Sequence, residues 1–177
     1  VATNAEMNVQ NVEPFIGAEL LGNGLKAAAI ASILIILYVW RRFSIIGFSS
    51  AVIAVLALIH DAFVMFTVYI LFRIPVNESF IAAILTILGY SINSTIIIYD
   101  RIRENRNLMR KASLKELVNT SINQTFARSV NTTITTFIAV LCVYIFALIN
   151  NIQSLTEFTF PILIGLISGT FSSLFLV

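Results

Sequence analysis

The sequence predicts an all-α protein, a bundle of helices that cross a membrane. Three observations carry that prediction. Hydrophobic residues make up 58% of the chain and charged residues only 11%, where a soluble domain carries about 25% charged residues. The mean hydropathy is +0.93. Apolar runs of about twenty residues recur, each long enough to cross about 30 Å of hydrocarbon as a helix. Backbone polar groups in hydrocarbon must be satisfied within the segment, so runs of this length read as helices.

Taken in order, Val1–Glu19 is polar, with Glu6, Glu13 and Glu19 and no basic residue. The first span covers about 20–40. Tyr38 and Trp40 sit at its end as interfacial aromatics, and Arg41 and Arg42 close it. Lys26, near the start, has a stem long enough to return its charge to the interface. The second span, about 45–71, exceeds the necessary length and is expected to tilt or protrude. A connector with Arg73, Pro75, Asn77 and Glu78 leads to the third span, about 80–99. The most charged stretch follows as a basic loop over 100–125. Within it Ser113 and Glu116 have capping-box spacing, which predicts a helix start. The fourth span is about 126–148 and the fifth about 158–177. The chain starts without Met and stops inside an apolar run, which predicts a piece of a longer protein.

Basic residues set the topology. Arg41, Arg42 and the cluster Arg101, Arg103, Arg106, Arg110, Lys111 and Lys115 fall on one side of the alternating connections, and Arg73 falls alone on the other. By the positive-inside rule the N-terminal segment is outside and the 100–125 stretch and C-terminus are cytoplasmic. The same cluster suits anionic lipid headgroups, which takes precedence over protein docking as its reading. One cysteine, Cys142, and one histidine, His60, exclude an intrachain disulfide and leave no metal-ligand set. No nucleophile–base pair is present, so no enzyme activity, cofactor or nucleic-acid partner is expected. His60 and Asp61 are helix neighbours, and adjacent side chains diverge by about 100°, so they are expected to point apart.

Ionisable and amide groups at mid-depth are costly, at least about 2.5–3.5 kcal/mol for a charge. Three sets stand out: His60-Asp61 in the second span, Ser91-Asn93-Ser94-Thr95 in the third, and Arg128, Asn131, Thr132, Thr135 and Thr136 in the fourth. The last five repeat at helical spacing on one face, which must meet other helices or water. The Ser and Thr members have a structural reading, bonding back to their own helix. Asn93 and Asn131 carry amides that one backbone cannot satisfy. Arg128 reads equally as a snorkelling side chain or as part of an ion path, and Asp61 as a path residue. Gly165 and Gly169 form a G-x-x-x-G pair that lets helices approach closely.

Several stretches together resemble one family. "VEPFIGAEL" (Val12–Leu20) resembles V-G-P-x-x-G-x-x-L, and "LIHD" (Leu58–Asp61, with His60) resembles A-x-x-H-D. "GYSINSTIIIYDRIREN" (Gly89–Asn105, including Tyr90, Ser91, Asp100 and Arg101) resembles G-Y-S-hydrophobic-N-D-[ST]-hydrophobic-D-R-I-R-E-N. "SINQTFARSVNTTITT" (Ser121–Thr136, with Gln124) and "IGLISGTFSS" (Ile164–Ser173) complete the set. The sequence is similar to SecF, the smaller half of the SecD–SecF auxiliary complex of bacterial preprotein export. The resemblance implies an RND-like membrane half in the bacterial cytoplasmic membrane, with residues 1–19 as the tail of an extracytoplasmic domain and 20–177 as the membrane domain. It also implies loss of the family's first span from this stretch of chain. Partners implied are SecD, the SecYEG channel, YidC and YajC, and preprotein substrates, with proton flow driving movement of the outer domains.

In that family an aspartate follows the asparagine of the third stretch, and an arginine lies in the fourth. Arg128 matches the arginine; Ser94 stands where the aspartate belongs. Serine does not cycle between charged and neutral forms at ordinary pH. The relay then rests on SecD's own carboxylate, or Asp61 substitutes, or coupling is absent or uses another cation with Ser94 as a neutral ligand, or the residue has been engineered. Two other functions fit the same pattern: a stand-alone RND-type exporter of small molecules or lipids, and a passive translocon scaffold.

Overall fold

The computed structural model describes residues 14–42, 48–74 and 76–176. Five helices run in the order α1 (Pro14–Arg42), α2 (Phe48–Leu71), α3 (Glu78–Leu108), α4 (Leu114–Ile149) and α5 (Gln153–Phe175), with no strand among the described residues. Each is long and apolar enough to cross a membrane. The chain is a multi-pass membrane protein. Residues 1–13 of the expected tail lie outside the described residues, while its remainder, from Pro14 on, is already the first part of α1.

The 100–125 stretch, read from the sequence as a loop, is helical on both sides of a short turn at 109–113. At 31 and 36 residues, α3 and α4 measure roughly 46 and 54 Å, well beyond a hydrocarbon core of about 30 Å. Charge in a sequence marks where water begins, but a helix leaving the membrane keeps its backbone bonds and need not end there. Ser113 caps α4, its Oγ accepting from the Glu116 N–H at 3.2 Å. Across the turn the helices are clasped: buried Asn105 donates to Ser121 Oγ (2.9 Å) and Gln124 Oε1 (2.8 Å), and Arg101 Nε donates to the same Gln124 oxygen at 2.7 Å. Arg42 at the end of α1 pairs with Asp100 at 3.2 Å.

The outer surface is apolar as well as the core, because the solvent is lipid. Ile30, Leu34, Phe63, Ile70, Ile138 and Phe146 are exposed, while close helix contacts use small residues. The innermost helix is α5, with 61% of its apolar stretch buried against 6% in α4. At Gly165 an added Cβ would lie 2.6 Å from Ile87 Cγ1 and 2.7 Å from Met65 Sδ, so the glycine is what brings α5 against α2 and α3. Buried apolar side chains gather in two clusters, one including Ala54, Ile98, Ile102 and Leu174, the other including Met65, Ala83, Ile87 and Leu166. Asp61, Ser91 and Ser172 lie on the stretches of α2, α3 and α5 between them.

Pro161 sits inside α5 and is buried. It has no N–H to give to the carbonyl four residues back, that of Glu157. Tyr69 on α2 supplies the missing donor, its hydroxyl lying 3.1 Å from Glu157 O. The Glu157 carboxylate is held by Asn77 at 2.7 Å and Gln153 at 2.8 Å. At the same end, α2 and α4 close through left-handed residues, Arg73 and Asn151, both at φ 53°. Ile74 N–H returns to Tyr69 O and Ile152 N–H to Ala147 O, so the last carbonyls are not left open.

Candidate functional site

Asp61 is fully buried on α2. Three serines from two other helices donate to it: Ser91 to Oδ2 at 2.6 Å, Ser172 to Oδ2 at 2.7 Å and Ser168 to Oδ1 at 2.8 Å. The approach depends on Gly169, where an added Cβ would stand 3.2 Å from Ser91 Cβ and 3.6 Å from Asp61 Oδ2. His60 does not point away as its place in the helix suggests. Its Nδ1 lies 3.3 Å from Asp61 Oδ1 while the ring stays part-exposed. The Cα–Cβ bonds of neighbours diverge, but the imidazole is long enough to fold back along the helix surface.

The three polar sets of the sequence are not one site. In the third span Ser91 turns to Asp61, Asn93 is exposed, and Ser94 is buried with its hydroxyl 3.3 Å from the Tyr90 carbonyl of its own helix. Tyr90 reaches α4 instead, donating to Thr133 Oγ1 at 3.0 Å, and Thr133 lies 2.6 Å from Thr170 Oγ1 on α5. Along α4 the residues Arg128, Asn131, Thr132 and Thr135 are exposed and Thr136 is half-buried. Their threonine hydroxyls bond back within the helix: Thr132 to Arg128 O, Thr135 to Asn131 O and Thr136 to Thr132 O, at 2.8 to 3.0 Å. Arg128 has no ion-pair partner among the described residues. The stripe faces away from the other four helices.

A second polar row on α4 escapes a search for costly residues, because it contains only hydroxyls. Ser121, Thr125, Ser129 and Thr133 recur every fourth residue on the inner side, the first three buried. Ser129 Oγ is buried without a hydrogen-bond partner. The signal was the spacing itself, four hydroxyls in register on one helix. Ser168 and Ser172 show the same i, i+4 spacing on α5, beside Gly165 and Gly169.

The five-helix bundle has known counterparts. The whole chain, residues 1–177, matches the family described as protein export membrane protein SecD/SecF, C-terminal. The chain belongs to this SecD/SecF family. It is 43% identical over 175 residues to the protein translocase subunit SecDF of Bacillus subtilis, covering 97% of this chain and 23% of that one. It is 39% identical to the protein translocase subunit SecF of Alicyclobacillus acidocaldarius, covering 97% of this chain and 54% of the relative. The crystal structure of SecDF, a translocon-associated membrane protein from Thermus thermophilus, superposes with a TM-score of 0.81 at 40% identity, over 93% of this chain and 22% of that one. The chain thus spans about half the length of the separate SecF relatives and less than a quarter of the fused SecDF proteins. The SecD/SecF fold accounts for the all-α architecture. The motif residues Arg101, Asn105 and Gln124 make the α3–α4 clasp, and Tyr90 and Ser91 make the contacts of α3 with α4 and α2.

Proposed function

We propose that the chain is the SecF-type membrane half of an auxiliary to Sec-dependent protein export, working beside a SecD-type half and the SecYEG channel on preproteins in the bacterial cytoplasmic membrane. In this reading residues 1–19 belong to an extracytoplasmic tail and residues 20–177 form the membrane domain. The N-terminal segment lies outside and the basic α3–α4 turn lies in the cytoplasm, against anionic lipid. The half is driven by an ion gradient, with Arg128, Asn131, Thr132 and Thr135 of α4 and Asn93 and Ser94 of α3 beside the path. One observation carries this: an arginine and an asparagine stand exposed on a membrane helix, on the side turned away from the rest of the chain. Lipid is no solvent for them, so a second membrane protein or a water-filled cleft must cover that face.

The test is gradient-dependent preprotein export by the full-length protein with Arg128→Ala and Arg128→Lys. Loss of the gradient-dependent part with Arg128→Ala is expected, and partial recovery with Arg128→Lys, which keeps the charge but not the planar fork. Wild-type rates from both variants at normal protein levels would sink the reading.

A further inference from the structure

Asp61 is a fully buried carboxylate, and no lysine or arginine pairs with it among the described residues. A buried carboxylate without a cation is expensive in a low dielectric. If Asp61 served only to tie α2 to α3 and α5, an amide of the same shape would do so without the charge, accepting with its oxygen and donating to hydroxyls that also accept. What a carboxyl group adds is a place for a proton. We infer that Asp61, with Ser91, Ser168 and Ser172, forms a proton-binding site inside the membrane, separate from the exposed Arg128 stripe. The inference deepens the ion-coupling part of the export reading and rests on it for its consequence in transport, but not for proton binding itself.

The nest accommodates both charge states with the same heavy atoms. In the ionised state the two carboxylate oxygens accept from three hydroxyls at 2.6 to 2.8 Å. Ser172 Oγ has a second acceptor within reach, Gly169 O at 3.2 Å. When a proton binds Oδ2, the new O–H donates to Ser172 Oγ, and the Ser172 hydrogen rotates from Asp61 to the Gly169 carbonyl. Ser91 and Ser168 continue to donate. The site takes up one proton, its charge goes from −1 to 0, and no other group is oxidised, reduced or released. Around it, α2 contributes one further ionisable group, His60, with Nδ1 3.3 Å from Oδ1 and its side chain 43% exposed. Facing it, α3 presents Ser91 and α5 presents Ser168, Ser172 and Gly169, none of which carries charge.

Infrared difference spectra of the full-length protein with its SecD-type half in lipid vesicles, recorded as pH is lowered, read the carboxyl C=O band directly. The expected result is a band that grows on acidification, is lost in Asp61→Asn and is displaced in frequency in Ser172→Ala, which alters its hydrogen bonding. Asp61→Asn is also expected to lose gradient-dependent export. Spectra of Asp61→Asn that keep every acid-induced carboxyl band overturn the proposal, as does a band that answers to sodium and not to pH. Should Asp61→Asn fail to accumulate, Ser172→Ala decides, since it keeps the carboxyl: an undisplaced band refutes the site. Arg128→Ala separates the two readings. If it exports normally while the Asp61 band persists, the path assigned to α4 fails and the proton site stands.

Discussion

Around Asp61, hydroxyls of α3 and α5 reach across helix boundaries to a shared acceptor. Along the outer face of α4, Thr132, Thr135 and Thr136 turn back onto their own backbone, and Arg128 and Asn131 point out of the bundle. Both sets are polar and both lie in membrane helices, yet only the first holds the fold together. The difference lies in who supplies the partner. A hydroxyl can satisfy itself within its helix at little cost, so it contributes to tertiary structure only when a better acceptor from another helix displaces that bond. The carboxylate is such an acceptor, since it offers several lone pairs and no donor.

The largest effect should therefore come from emptying the nest. Ser168→Ala with Ser172→Ala removes two of the three hydroxyl donors and leaves a buried carboxylate under-satisfied. Each loss is expected to destabilise by about 1–3 kcal/mol, read as reduced resistance to unfolding in detergent or bicelles. If the double variant unfolds like the wild type, the nest does not anchor α5 and the contrast with the outer stripe collapses.

A second cross-helix contact sharpens the same point with a built-in control. Tyr69→Phe removes the hydroxyl that satisfies the Glu157 carbonyl opposite Pro161, with an expected cost of about 1 kcal/mol or somewhat more. Pro161→Ala restores an N–H in the right place, so Tyr69→Phe should cost measurably less on that background. A double-mutant cycle reads this coupling. Strict additivity would mean that tyrosine and proline are independent.

Much of this was legible in the sequence, for reasons that differ by region. The spans follow from hydropathy, because every helix here faces lipid on at least one side. Arg128, Asn131 and Asp61 stand out because charge and amides are costly in hydrocarbon. What stayed hidden is the pairing. Ser91, Ser168 and Ser172 are ordinary small residues until α5 is placed beside Asp61, and the approach that places it is set by Gly165 and Gly169 against Ile87 and Ser91. The turn at 109–113 was half legible: Ser113 and Glu116 marked the start of α4, but the charge run, which marks the membrane surface, hid that α3 continues past Asp100 to meet it. His60 was misjudged because side-chain direction was taken from Cβ alone, without the reach of the ring.

The smallest effect is the most informative about the outer face. Thr132→Ala and Thr135→Ala remove only bonds within α4, and exposed substitutions of this kind change stability by about 0.5 kcal/mol or less. That expectation holds for the protein without its SecD-type half. In the proposed reading that half covers the same face as a helix interface, where interhelical hydrogen bonds average about 0.6 kcal/mol. The two substitutions should then weaken association of the halves while leaving the unpartnered protein as stable as before. The measurement is one stability curve without the partner and one association curve with it, on the same variants. A loss of stability without the partner would show that the outer row helps hold this bundle after all. No change in either curve would remove the stripe from the interface and leave its polar side chains without a cover.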